Sequence, residues 1–159
     1  MKKDPAITCC FTGHRAIPAQ DKEAICDRLC RAITKLYEEG FRHFVAGGAL
    51  GFDTLAARAV LALKPRLPDV TLTLVLPCAD QADAWREGDR AEYERIKALA
   101  DEVVCLADAY YSGCMKVRNQ YMVDASSACI AYLTNLRSGA GQTVRMAEKA
   151  GLRILNVAE

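Results

Sequence analysis

Val45-Ala46-Gly47-Gly48-Ala49-Leu50-Gly51-Phe52-Asp53-Thr54-Leu55-Ala56-Ala57 is the stretch around which the chain is organised. An apolar run ends in a cluster of glycines, and a helix-forming sequence follows almost without a spacer. It reads as a strand, a phosphate-sized turn and a helix N-terminus. Glycine permits positive φ and close approach to the main chain, while the first helical N–H groups are unpaired and carry the positive end of the dipole. Such a place suits an anion. The same glycines equally suit a tight connection whose backbone must pack closely, and the stretch by itself leaves both readings open.

Upstream, residues 6–12 form a short β-favouring run closed by Gly13, as expected of a strand buried on both faces. Residues 18–39 place Ile25, Leu29, Ile33 and Leu36 on one helical stripe, and Gly40 stops the pattern. Strand 43–46 then leads into the glycine turn, and helix 52–63 ends before Pro65 and Pro68. Downstream the spacing predicts strand 70–76, a loop over 78–88, helix 89–100 and strand 102–106. After a loop over 108–113 come helix 114–125, strand 128–133, a second glycine turn over 135–141, helix 142–150 and strand 153–157. Alternating strands and helices imply a Rossmann-like three-layer α/β/α fold with a mainly parallel sheet of about six strands. No linker or repeat divides residues 1–159, so a single domain is expected.

Composition narrows the function. Hydrophobic residues make up 52% of the 159 residues, charged residues 26%, and the net charge is +1. That balance argues against a general nucleic-acid or membrane-surface binder. No stretch approaches the roughly 20 apolar residues of a membrane span, and the N-terminus lacks a signal-peptide pattern, so a cytoplasmic protein is expected. The eight cysteines are scattered through apolar runs and helix-like segments, which favours buried reduced thiols over a disulfide framework. With only His14 and His43, and no Cys-x-x-Cys pair, no metal site is expected.

Parallel sheets bind ligands at the carboxyl ends of their strands. The unusual residues collect there: Thr12, Gly13, His14 and Arg15 after the first strand, Gly47 to Asp53 after the second, Pro77 after the third, and Ser138 to Thr143 after the fifth. The dinucleotide fingerprint Gly-x-Gly-x-x-Gly is missing from the first turn, and no Gly-Lys-Ser or Gly-Lys-Thr marks a Walker loop. Asp53 reads as a helix N-cap or a partner for ribose hydroxyls, because a carboxylate repels a phosphate beside it. His14 and Arg15 are candidate anion contacts, His14 being able to change charge near neutral pH. Arg118 points either to solvent or to phosphate. Trp85 is a candidate for base stacking or for a lid.

Several motifs occur in one order: Thr-Gly-His-Arg at 12–15, Gly-Gly-Ala-x-Gly-x-Asp at 47–53, Gln81 with Trp85 after Pro77, Arg-Asn-x-x-Met-Val-Asp at 118–124, and a glycine turn running into Thr143. Together they resemble the YpsA-like branch of the SLOG superfamily, Rossmann-like relatives of the Lonely Guy phosphoribohydrolases and of DprA. The resemblance spans nearly the whole chain. It implies a pocket for a nucleotide or nucleotide-derived ligand of the AMP, ADP-ribose or NAD class. The residues it brings together are Thr12, Gly13, His14, Arg15, Gly47, Gly48, Ala49, Gly51, Asp53, Pro77, Gln81, Trp85, Arg118, Asn119, Met122, Gly139, Ala140, Gly141 and Thr143.

The Lonely Guy pattern Arg-Lys-x-x-Met matches Arg118 and Met122, with Asn119 in place of Lys. Its glycine motif aligns with residues 138–143 and puts Met146 where the catalytic glutamate stands. Methionine can neither activate water nor stabilise an oxocarbenium-like centre. The leading expectation is therefore a nucleotide-ligand binder or sensor, its phosphate held by the turns at 47–51 and 139–143 with charge from Arg118 and Arg15, and with no assigned catalytic residue and no certain cofactor. The alternatives are an enzyme cleaving an N-glycosidic bond, with Asp53, His14 or Arg118 as candidate catalytic groups, and a DprA-like binder of single-stranded DNA. The expected partner is a small nucleotide ligand, and homo-oligomerisation is left open.

Overall fold

The computed structural model describes residues 2–159. In chain order its elements are β1 (Thr8–Gly13), α1 (Lys22–Glu38), β2 (His43–Ala46), α2 (Phe52–Leu63), β3 (Thr71–Leu76), α3 (Glu87–Leu99), β4 (Glu102–Cys105), α4 (Cys114–Asp124), β5 (Ala128–Tyr132), α5 (Gly139–Lys149) and β6 (Arg153–Asn156). The six strands form one sheet in the order β4-β3-β2-β1-β5-β6, and every pairing is parallel. The Rossmann-like α/β architecture expected from the alternating pattern is the one observed.

Side chains alternate across the pleat and so build two cores. On one face Phe11, Phe44, Leu74 and Ile130 meet Ile25 and Leu29 of α1, Ala56 and Val60 of α2, and Ile96 of α3. On the other, Cys10, Val45, Val75 and Cys129 meet Met122 and Val123 of α4 and Val144 and Ala147 of α5. This division follows from handedness. The chain steps outward from β1 to β4 and then returns past β1 to place β5 and β6 on its other side. Right-handed crossovers in opposite directions put their helices on opposite faces. The strand order therefore reverses between β1 and β5, and a crevice opens beyond their carboxyl ends.

The structure departs from the sequence reading at particular points. The helix expected at 142–150 begins earlier, at Gly139, so Gly139, Ala140 and Gly141 form its first turn rather than a preceding loop. Ser138 is its N-cap, its hydroxyl accepting from the Gly141 N–H at 3.0 Å. That cap, together with close packing of Gly141 under the Leu136 carbonyl, overrides the weak helix propensity of glycine. Asp53 is not an N-cap: Gly51 holds that position, and Asp53 lies within the first turn of α2. All eight cysteines are free, but Cys105 is exposed on the edge strand β4 and Cys26 and Cys30 on α1 are only half-buried. Among the described residues no helix is long and apolar enough to cross a membrane.

Candidate functional site

Three segments converge on the β1/β5 crevice. The first is the β1 exit, Thr12 to Arg15, the second is α4, and the third is the N-terminus of α5. They enclose a cleft of about 320 Å³ whose floor includes Ala49 and Asp53. From α4 the cleft receives Met115, Arg118, Asn119 and Met122. These lie at i, i+3, i+4 and i+7, so one helical stripe supplies the whole wall. From α5 come Ser138, Gly139 and Ala140.

The glycine turn after β2 is filled by the protein itself. A Cβ on Gly47 would lie 2.5 Å from Nη1 of Arg118, one on Gly48 would lie 2.9 Å from Leu76, and one on Gly51 would lie 2.1 Å from the Arg15 carbonyl oxygen. The turn's carbonyls are engaged too. Arg118 Nη1 donates to Gly47 O at 2.6 Å, Gln81 Nε2 to Gly48 O at 3.4 Å and Thr54 Oγ1 to Ala49 O at 3.1 Å. Of the two readings of this turn, close packing accounts for the geometry of all three glycines. Asp53 completes it by accepting from the Ala49 N–H at 3.2 Å, so a carboxylate already occupies the positive end of α2.

Burial governs the charges in the cleft. Asp53 is buried, and that burial raises its pKa; the Arg118 guanidinium, the Ala49 N–H, Arg15 and the Gly47 N–H act in the opposite direction. Arg118 is also buried, which lowers its pKa against the attraction of Asp53, and a guanidinium remains a cation there. Its Nε donates to Asn119 Oδ1 at 2.8 Å, so Arg118 is held at both Nε and Nη1. His14 behaves differently from a mobile anion contact. Its Nε2 accepts from the N–H groups of Thr134 and Asn135, at 2.9 and 3.3 Å. An acceptor nitrogen cannot carry a proton, and partial burial likewise lowers the pKa of the ring. His14 thus serves as a neutral strut between the β1 exit and the loop after β5.

Residues singled out in the sequence fall into three groups. Thr12, Gly13, His14, Arg15, Ala49, Asp53, Arg118, Asn119, Met122, Gly139 and Ala140 line the cleft. Gly47, Gly48, Gln81, Gly141 and Thr143 stand behind it: Gln81 braces the turn through Gly48, Gly141 packs on Leu136, and Thr143 bonds back to Gly139 O at 3.2 Å. Gly51, Pro77 and Trp85 are not part of this lining. Trp85 packs edge-on against Tyr93 with ring centroids 5.1 Å apart. Met146 is half-buried against the core under α4 and α5. Phe11 and Met115 complete the cleft without having been singled out in the sequence, and Ser138, noted only as part of its turn, joins them. Extending the Arg118 and Met122 stripe one turn toward the N-terminus would have found Met115.

The family model YpsA, described as the YspA SLOG family, matches residues 9–150. The chain belongs to that family. It is 30% identical over 132 residues to a UPF0398 protein of Bacillus thuringiensis, covering 81% of this chain and 72% of the relative. Among solved structures it is similar to DNA processing protein A from Helicobacter pylori, with a TM-score of 0.64 and 20% identity over 95% of this chain. It is likewise similar to DprA from Streptococcus pneumoniae, with a TM-score of 0.67 and 17% identity over 94% of this chain. The chain spans only 64% and 49% of those two structures. At these identities the likeness is one of fold. The H. pylori protein is described as binding single-stranded DNA.

Proposed function

We propose that the β1/β5 cleft binds a small nucleotide-derived ligand, with its phosphate at the N-terminus of α5 and its sugar hydroxyls at Asp53. The observation that carries this reading is the pairing, in one cleft, of a buried Arg118 and a buried Asp53 with the N-terminal residues Ser138, Gly139 and Ala140 of α5. Cleft, fixed cation and helix dipole attract a phosphate. Gly139 is the residue that leaves room for it, since nothing lies within 4 Å of where its Cβ would be. A carboxylate is a poor neighbour for phosphate but a good acceptor for ribose hydroxyls, so Asp53 and the α5 N-terminus divide the ligand between them. Family membership supports the same class of ligand.

A thermal-shift panel of AMP, ADP, ADP-ribose and NAD tests the proposal. A ligand at 100 times its dissociation constant stabilises the native state by about 2.7 kcal/mol. At least one member is expected to raise the melting temperature, and a flat panel would remove the nucleotide reading.

One observation favours a second reading. A buried carboxyl with a raised pKa facing a cleft is suited to proton transfer, which would make Asp53 the acid or base of an N-glycosidic cleavage. Incubation with nucleoside phosphates and ADP-ribose, followed by detection of released base, separates the two. Binding without turnover leaves the protein a binder.

A further inference from the structure

A second and larger cleft, of about 750 Å³, opens on the far side of Arg15. It lies between the segment following β1, the N-terminal half of α2 and the flank of α3. Arg15 lines both clefts, and beneath it Gly51 approaches the Arg15 backbone too closely for any side chain. The two cavities are therefore neighbours across a single residue. They differ in character. The cleft beside Asp53 is walled by charged and polar groups together with two methionines, whereas the floor of the second is aliphatic, from Ile17, Pro18, Leu50 and Leu55.

The charges of the second cleft divide as well. Arg58 is 3.4 Å from Glu92, which Arg95 also holds at 2.9 Å, so one carboxylate is shared between two guanidiniums, and Asp89 adds a second carboxylate to the lining. Lys22 and Arg15 have no ion-pair partner among the described residues and face the cavity. An aliphatic floor with a few polar groups at its edge is the usual make-up of a small-molecule site. Volume points the same way: ligand cavities run from roughly 300 to 1,000 Å³, and 320 Å³ alone lies at the bottom of that range.

We propose that the two clefts form one extended site for a nucleoside diphosphate carrying a second sugar. The nucleobase rests on Ile17 and Leu55, the pyrophosphate crosses Arg15 toward the α5 N-terminus, and the distal sugar faces Asp53 and Asn119. This rests on the nucleotide reading of the first cleft and adds the length of the ligand to it.

Calorimetric titration with ADP-ribose and with ribose 5-phosphate tests it, the latter being only the distal end of the former. The native protein should bind ADP-ribose at least about tenfold more tightly, roughly 1.4 kcal/mol. Ala16→Trp, at an exposed position lining only the second cleft, fills that cavity. It should weaken ADP-ribose by about tenfold and leave ribose 5-phosphate unchanged. Lys22→Glu provides an independent variant, since an acidic residue at the start of α1 favours the helix and removes the unpaired cation. It should shift the same way. If ribose 5-phosphate binds as tightly as ADP-ribose, or if both variants leave ADP-ribose affinity intact, the extended site is overturned while the first cleft stands. If neither compound binds and the nucleotide panel is flat, both readings fall together.

Discussion

Burial raises the pKa of Asp53, so the native protein holds a proton there more firmly than the unfolded chain does. The sign of the linkage follows. Stability from this group is fully present below the unfolded pKa of about 3.9 and is lost as pH rises through the folded value. Above that folded value the ionised carboxylate costs stability. Asp53→Asn keeps an oxygen to accept from the Ala49 N–H and removes the charge. We expect the variant to be at least as stable as the native protein at pH 7 and to lose its share of the stabilisation seen on acidification. Its affinity for a ribose-bearing ligand should fall by about tenfold, about 1.4 kcal/mol. Denaturant unfolding at pH 5 and pH 7, paired with ligand titration, checks both halves. A variant destabilised at pH 7 would mean that the anion is needed to hold the glycine turn. A cost in stability that serves recognition is the usual mark of a functional residue.

At the scale of elements, the two glycine-bearing turns look alike in sequence and differ in what surrounds them. Gly47 faces the Arg118 guanidinium, whereas Gly139 faces open space in the cleft. Gly47→Ala should destabilise by about 1–3 kcal/mol, because the guanidinium must leave its place. Gly139→Ala, in the first turn of α5, should leave stability unchanged or raise it by up to about 1 kcal/mol. It should nevertheless weaken phosphate binding, because its methyl group enters the space assigned to the anion. Melting curves with and without ligand distinguish the pair, and a Gly139→Ala protein with native affinity would move the phosphate elsewhere. The same contrast explains what could be read from sequence. Strand 43–46 and helix 52–63 were legible to the residue, because an apolar run, a glycine stop and prolines bound them. The start of α5 was not, because Gly-Ala-Gly reads as a turn until Ser138 and Leu136 are seen to fix it as helix. Likewise, no local pattern reveals that His14 accepts two backbone N–H groups from a loop 120 residues away. Nor does any pattern show that Trp85 packs on Tyr93 and not beside the cleft.

For the whole molecule, the fold was legible because alternation of elements admits few topologies, while ligand identity depends on charge placed by tertiary structure. The likeness to DNA processing protein A raises the question of whether this chain also binds single strands. Binding of that kind draws on many phosphate contacts, and affinity then falls with salt at a log–log slope of roughly −0.7 for each phosphate neutralised. The chain carries 21 Lys and Arg against 20 Asp and Glu, for a net charge of +1. Around the two clefts, Arg15, Lys22, Arg58 and Arg118 are offset by Asp53, Asp89 and Glu92, and Arg58 is already paired to Glu92. The exposed tyrosines, Tyr110 and Tyr111, stand outside the lining of both clefts. Neither cleft therefore offers an exposed tyrosine on which bases could stack beside its cations. We predict that fluorescence anisotropy with a labelled 20-nucleotide single strand will give a dissociation constant weaker than about 10⁻⁴ M at physiological salt, outside even the usual non-specific range. Any residual binding at low salt should have a slope shallower than about −1.5, the value for two phosphates. A steep slope with micromolar affinity would instead mean that a single strand follows the cations at the cleft mouths. The charges of Arg15 and Lys22 would then serve a polymer rather than the pyrophosphate of a small ligand, and Lys22→Glu would lower that slope along with the affinity.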